Sequence, residues 1–331
     1  MFRTNLDDID AIRNLAAIRD IATHIFPRTA PLTVERVTEG LSTRVYRIHR
    51  AGETFYLRVL PEVGASFAPE AYAHTLLRAR GVKVPEVIYV ERYNAALERS
   101  VMVTTAIVGQ HIGHCRDMTA ARQALVAAGR DLAIINSVPV DGFGWIARDS
   151  GDTTRLEAEF ASYRAFAFNQ LEENLTLLGA SALRPAGIVA VRRTIERYDA
   201  LFDAEDAGQA RLAHGDFDAT HIYQQGGRYT GVIDFGEIRG AGPCYDLGHI
   251  KLHDGEKLPT PMLPYLLEGY ARVTPLPADA PRRIALASLV IAIKALGRQV
   301  QKGRGNVDRR NSYVNLLVTG IEDAVEALRN Q

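Results

Sequence analysis

Cysteine is scarce: Cys115 and Cys244 are the only two in 331 residues, and they form no CxxC pair. That excludes a disulfide framework and makes a reduced, intracellular chain the expectation. Charge of one sign is lacking too, because 39 Lys+Arg stand against 39 Asp+Glu. A balanced chain has no global attraction for nucleic acid or for an anionic membrane, so neither is expected as a partner. Long hydrophobic runs are missing: the longest, Ile284 to Ile293, is closed off by Arg283 and Lys294. Such a run is too short to cross a bilayer as a helix and reads as a buried core helix. The start, Met1 to Asp8, is polar and acidic and does not have the form of a secretory signal. A cytoplasmic location is therefore expected, with the oligomeric state left open. There is no Walker loop, no Gly-x-Ser-x-Gly elbow and no dinucleotide fingerprint. Disorder is also excluded, since 47% of residues are hydrophobic and 24% charged, close to the globular average.

What is present changes character along the chain. Ile12, Leu15, Ile18, Ile21 and Ile25 share one face of a helix over 11–25. From Leu32 to about Val108 the signal is mostly β. Strands are expected at 45–48, 55–60, 87–90 and 100–105, with Ala51-Gly52-Glu53 as a turn and a helix over 69–80 stopped by Gly81. After Gly109 the pattern is helical, over 120–136, 156–178, 188–202 and from Pro264 onward, interrupted by a β insert between Leu212 and Phe235. The fold class is α+β in two lobes, residues 1–108 and 109–331, joined near Thr105 to Gln110.

The most informative stretch runs from Leu212 to Glu237. Gly226-Gly227 is a hairpin turn signal between two alternating apolar runs. Centring the turn there sets His221 opposite Val232 and Asp234 opposite Ala219. Both polar side chains then sit at the open end of one hairpin, beside the loop that holds Asp216. Asp216 can act as a general base toward a hydroxyl. Asp234 and His221 can hold a divalent cation, although magnesium favours oxygen over imidazole. A hydrolytic metal centre built from His214, Asp216, His221 and Asp234 is an alternative, as are side chains that only bond turn backbone.

The segments His214-Gly215-Asp216, Ile233-Asp234-Phe235-Gly236 and Gly242-Pro243-Cys244-Tyr245-Asp246-Leu247 together resemble the aminoglycoside phosphotransferase family of kinase-like enzymes. The resemblance implies a bilobal, protein-kinase-like fold that uses ATP or GTP with Mg2+. It implies Asp216 as catalytic base, His214 orienting its loop, Asp234 as main metal ligand and Asp246 as a buried brace. His221 stands where the family usually has a metal-binding Asn, as in the 2″-aminoglycoside and macrolide phosphotransferase branches. In the first lobe, Glu39 to Tyr46 resembles the nucleotide-covering loop, with Ser42 and Thr43 near phosphates. Arg58 occupies the place of a phosphate-binding Lys, and Glu70 that of its ion-pair partner. Arg58 is otherwise a strand charge within reach of Glu53 or Glu62. Backbone groups near Thr105 and Ile107 correspond to the hinge that reads adenine. The resemblance covers about residues 33 to 250.

By this resemblance the chain is a kinase for a hydroxyl on a soluble acceptor: an aminoglycoside or macrolide antibiotic, or a sugar or amino alcohol. A non-catalytic kinase-shaped binding protein is a further alternative. The acceptor pocket is expected among helices after Ala120 and after Pro264. Glu157, Glu159, Glu172, Glu173, Asp254 and Glu268 would attract a polycation there, or simply form a solvated face. Three other signals are weaker. His111-Ile112-Gly113-His114-Cys115 reads as a loop without a second metal-binding pair, His249 and His253 share a helix face, and Phe143-Gly144-Trp145 reads as a turn.

Overall fold

The computed structural model describes residues 6–26, 30–37, 43–149, 154–206, 208–258, 260–303 and 311–331. The chain divides into two units, Met1–Ile107 with Ala147–Arg155, and Val108–Ile146 with Leu156–Gln331.

In the first unit, alternation of apolar and polar residues builds a sheet. It comprises β1 (Leu32–Val37), β2 (Arg44–Arg50), β3 (Glu53–Val59), β4 (Val87–Asn94) and β5 (Arg99–Thr105), in the antiparallel order β1-β2-β3-β5-β4. Phe55, Leu57 and Val59 of β3 point to one face, where they meet Tyr46 and Ile48 of β2. The preceding helix α1 (Leu6–Ile25) covers that face with Ala17, Ile18, Ile21 and Ala22. Each isoleucine, leucine, valine or phenylalanine among them contributes about 1.5–3 kcal/mol on removal from water. The β2–β3 turn uses Ala51 and Gly52, both left-handed at φ 49° and 83°, which suits the right-handed twist of the strands. Helix α2 (Ala68–Ala79) begins with a proline in its first turn and is followed by Gly81 at φ 80°. Residues 147–155 return to this unit, a feature absent from the sequence reading. The Arg148 carbonyl accepts from Ser66 N–H at 2.8 Å, and the Thr154 carbonyl accepts from the Tyr72 hydroxyl at 2.6 Å.

The second unit opens with β6 (Gln110–His111), α3 (Met118–Ile135), β7 (Phe143–Ile146) and β8 (Ala158–Phe160). The helix expected over 156–178 is instead β8 followed by α4 (Tyr163–Phe168) and α5 (Leu171–Ser181). Ser162 caps α4, and Gln170 adopts left-handed backbone at φ 59°, which no continuous helix permits. Then follow α6 (Pro185–Arg197), α7 (Asp199–Asp206), β9 (Arg211–Ala213), β10 (Ile222–Gln225), β11 (Arg228–Val232) and β12 (Arg239–Ala241). The sheets are ordered β11-β10-β6 and β8-β7-β12-β9. Phe143-Gly144-Trp145 is thus a strand rather than a turn. Helices α8 (Tyr245–His253), α9 (Leu263–Ala271), α10 (Ala280–Lys302) and α11 (Ser312–Arg329) complete the chain.

Helix α10 carries the longest apolar run. It is long and apolar enough to cross a membrane, but 78% of its apolar window is buried inside the protein, as a core helix requires. Helices α3 and α9 cross at glycines: a Cβ at Gly129 would lie 2.1 Å from the Leu266 carbonyl oxygen, and one at Gly269 would lie 1.9 Å from that of Val126. Both obstacles are backbone atoms that cannot rotate away. Gly269→Ala is therefore expected to lower unfolding free energy by about 1–3 kcal/mol or more, read by urea denaturation.

Candidate active site

The hairpin forms as the glycine signal implies, with Gly226 and Gly227 left-handed at φ 56° and 80° and Gln225 facing Arg228. Its register differs from the expectation by one residue. A bulge places Tyr223 opposite Gly231 and Ile222 opposite Val232, leaving Thr230 as the extra residue. The Thr230 hydroxyl donates to the Val108 carbonyl at 2.7 Å, an attachment outside the hairpin. His221 consequently stands opposite Ile233, whose N–H donates to its carbonyl at 3.1 Å. The polar groups still converge, since His221 Nε2 is 3.7 Å from Asp234 Oδ2.

The loop after β9 is fixed from below by Asp246, which is fully buried on α8. Asp246 Oδ2 accepts from the His214 N–H at 2.9 Å and from Asn136 Nδ2 at 2.8 Å, while Oδ1 accepts from the Gly215 N–H at 2.8 Å. Burial pushes the Asp246 carboxyl up, and the Asn136, Gly215 and His214 donors pull it back. Gly215 is left-handed at φ 87°, and a Cβ there would stand 1.9 Å from the Glu237 carbonyl oxygen, so no larger residue fits. Asn136, just past the end of α3, also donates to the Leu212 carbonyl at 2.9 Å. It escaped the sequence reading because nothing local marks it.

His214 is fully buried and pinned at both nitrogens: Nε2 donates to the Ile233 carbonyl at 2.9 Å, and Nδ1 accepts from the Asp216 N–H at 3.3 Å. Burial pushes its pKa down to about 4, so the ring is neutral. With both nitrogens engaged, His214 is not a metal ligand, which corrects its place in the hydrolytic alternative. Instead it ties the backbone of Asp216 to the end of β11.

Asp216 stands among three further groups. His221 Nδ1 donates to the Asp216 carbonyl at 2.7 Å and lies 3.8 Å from its Oδ2 and 3.6 Å from Asp218 Oδ1. Burial opposes charge on His221, but Asp218, Asp216 and Asp234 together outweigh it and raise its pKa. Asp218 Oδ1 accepts from both the N–H and the hydroxyl of Thr220, each at 2.6 Å. His249 was missed as a site residue. Its Nε2 lies 3.4 Å from Asp216 Oδ1, and its ring packs on that of His253 with centroids 4.6 Å apart. His253 in turn pairs with Glu256 at 2.9 Å. Burial, then the neighbouring His253, pushes the His249 pKa down to about 3.

Two buried neutral imidazoles make stability sensitive to acid. Below the ordinary histidine pKa of 6.5 the unfolded chain takes protons that the folded His214 and His249 refuse until about 4 and 3. Stability is therefore full above that pH and falls as pH drops, by about 1.4 kcal/mol per pH unit for each ring. Urea unfolding at pH 7 and pH 5 is expected to show this loss.

Asp216, Asp218 and His221 place ligand atoms within 4.8 Å of one another, the one group of this kind among the described residues. Asp234 adjoins it at the end of the hairpin, left-handed at φ 65° and exposed, with Oδ1 accepting from the Gly236 N–H at 3.4 Å. Carboxylate oxygens in excess of cations suit a hard divalent ion such as Mg2+. His111 and His114 face each other, with ring centroids 3.8 Å apart, and His111 also lies within electrostatic reach of Asp218 and His221.

A model of the phosphotransferase enzyme family matches residues 33–286. The chain belongs to that family. No curated protein matches the sequence. Among solved structures, a thermostable mutant of aminoglycoside phosphotransferase APH(4)-Ia in ternary complex with AMP-PNP and hygromycin B is 15% identical. That match covers 94% of this chain and 98% of that one, with a TM-score of 0.68. A Thermobifida fusca protein named provisionally as a fructosamine-3-kinase is 19% identical over 96% and 99% of the two chains, with a TM-score of 0.64. These likenesses give the fold, which is bilobal, α+β and protein-kinase-like. The protein is a phosphotransferase.

In the first unit of this phosphotransferase, Arg58 pairs with Glu70, and its guanidinium lies 5.1 Å from the centre of the Phe67 ring. Both side chains are mostly buried, at 13% and 3% exposure, so Arg58 is not an exposed strand charge. His74 Nε2 stands 4.0 Å from the same carboxylate. Thr43 directly precedes β2, while Glu39 to Ser42 lie outside the described residues. At the expected hinge, the Thr105 N–H donates to the Glu86 carbonyl at 2.9 Å, and the Thr105 hydroxyl accepts from the Glu86 N–H at 2.9 Å. The Thr105 backbone N–H and its hydroxyl oxygen are thus both engaged with Glu86.

Proposed function

We propose that this phosphotransferase moves the γ-phosphoryl group of ATP or GTP to a hydroxyl on a soluble small molecule. The observation that carries this reading is Asp216, whose backbone is held by His214 and His221 while its carboxylate stays partly open at 37% exposure. A base so placed takes the proton of the acceptor hydroxyl. The hydroxyl oxygen bonds to the γ-phosphorus, the β–γ bridging bond breaks, and the nucleoside diphosphate leaves with the electron pair. In such chemistry the protein mainly positions reactants and stabilises charge.

Asp234 is the main ligand for Mg2+, with His221 Nε2 and Asp218 beside it; the ion supplies charge neutralisation for the phosphates. Arg58, held by Glu70, steadies phosphate oxygens, Ser42 and Thr43 lie in the nucleotide-covering segment, and the Ile107 backbone reads the base. Relatives of this fold bound to AMP-PNP and hygromycin B, or named for a sugar-amine kinase, support a nucleotide and a hydroxyl acceptor. A cytoplasmic location fits the same reading.

Asp234→Ala tests the metal assignment. Calorimetric titration with AMP-PNP and Mg2+ is expected to show affinity reduced by about tenfold or more. Unchanged Mg2+-dependent binding would sink it. The hydrolytic alternative requires zinc or manganese bound tightly without nucleotide, which metal analysis of the purified protein reads directly.

A further inference from the structure

The second unit contains a cavity of about 200 Å³ between β7, β12, α4 and α10. Arg239 forms part of that wall: its Nε donates to the Glu237 carbonyl at 3.0 Å, and a Cβ on Gly215 would lie 2.7 Å from the same nitrogen. Gly215 is the residue before Asp216, so one residue of the cavity wall packs against the loop that carries the proposed base.

The lining has two characters. One is aromatic, from Trp145, Phe160, Phe166 and Tyr245. The Arg239 guanidinium stacks on Trp145 at 4.1 Å from the ring centre, which fixes that side of the wall. The other is cationic. Lys294 and Arg298 are one turn apart on α10, and both line the cavity with Arg239. Arg239 is answered by Glu237 at 3.0 Å and by the Tyr245 hydroxyl. Lys294 donates to the Phe166 carbonyl and lies 4.5 Å from that ring's centre. Burial, reinforced by Arg239 and Arg298 and opposed by Glu159, pushes its pKa down to about 8. Arg298 is exposed and has no hydrogen bond or ion pair among the described residues.

This is the reverse of what a polycationic acceptor needs. Of the acids considered for that role, Glu172 is paired with Arg192 at 2.6 Å, Glu268 with Arg272, and Asp254 accepts the Met262 N–H at 2.6 Å. Glu159 is the one among them that lines the cavity. The volume is also below the range of about 300–1,000 Å³ usual for drug-sized ligands, which favours a small, single-ring ligand.

We propose that the acceptor is a single-ring alcohol bearing an anionic group, its ring against the aromatic wall and its anion on Arg298 and Lys294. This rests on the phosphotransferase reading and narrows its substrate class. The test is nucleotide consumption with ATP and Mg2+, using 4-(hydroxymethyl)benzoate and D-glucuronate against benzyl alcohol, D-glucose, D-glucosamine and hygromycin B. The two anionic alcohols are expected to have the highest kcat/KM. Arg298→Glu is expected to raise their KM by about tenfold or more, because like charges then face each other. Arg298→Lys is expected to keep KM within about threefold, since one charge is retained on an exposed side chain. Preference for glucosamine or hygromycin B, no turnover of either acid, or an Arg298→Glu variant with unchanged KM would overturn the proposal. Binding of AMP-PNP with Mg2+, measured in parallel, separates the two levels. Its retention leaves the phosphotransferase reading standing, and its loss in the unaltered protein removes both.

Discussion

Asp216→Asn is expected to lower acceptor-dependent nucleotide turnover by about 10²–10⁴-fold, the usual contribution of a positioned general base. The substitution keeps the shape and removes the basicity. The hydrogen bonds that hold this residue run through its backbone, beside a looser contact of its carboxylate with His249 at 3.4 Å: the N–H donates to His214 Nδ1 at 3.3 Å and the carbonyl accepts from His221 Nδ1 at 2.7 Å. An amide leaves both in place, so the thermal unfolding midpoint should stay close to that of the unaltered protein. Loss of activity with an intact fold is therefore the expected pair of results. Turnover within a fewfold of normal would remove Asp216 as base.

Asp246→Ala is expected to show the opposite balance. Its carboxylate is the acceptor for the His214 and Gly215 N–H groups and for Asn136 Nδ2, all in a fully buried position. Deletion leaves the His214 and Gly215 N–H groups without a partner, each worth about 1–3 kcal/mol when orphaned in the interior, while Asn136 Nδ2 keeps its bond to the Leu212 carbonyl. Some of that loss is returned, because a buried carboxylate is itself costly to desolvate, as its raised pKa records. The net loss is placed at about 3–5 kcal/mol, the range for removing one partner from a buried charged network. Activity should fall with it, since the loop carrying Asp216 loses its brace. Asp246→Asn keeps one acceptor oxygen and is expected to lose less on both counts. Urea unfolding combined with turnover at a temperature where the variant is folded separates the two effects. A stability change below about 1 kcal/mol for Asp246→Ala would contradict the bracing role.

The hairpin end was legible because its information is local. Gly226-Gly227 dictates a tight turn, and alternation fixes the strands, so Asp216, His221 and Asp234 were bound to approach one another. The bulge was not legible, because the Thr230 hydroxyl is drawn to the Val108 carbonyl, a partner distant in sequence. His249 was visible only as one of two histidines on a helix face. Its approach to Asp216 depends on how α8 packs beneath the loop, and spacing alone carries no such direction. The helix read over 156–178 failed for a related reason: its apolar residues serve a short strand and two helices around the left-handed Gln170. The cavity was hidden most completely. Lys294 and Arg298 have ordinary helical spacing, and only the packing of β7, β12, α4 and α10 turns them toward one space. Charge balance over the whole chain conceals both an acidic hairpin end and a basic cavity in the same unit.

The most direct measurement follows the label from [γ-³²P]ATP in the presence of Mg2+ and the six acceptors named above, with the unaltered protein and Asp216→Asn side by side. The account predicts label in a phosphate ester of the anionic alcohols with the unaltered protein, and none above background with the variant. Label released only as inorganic phosphate, or equal ester formation by both proteins, would contradict it.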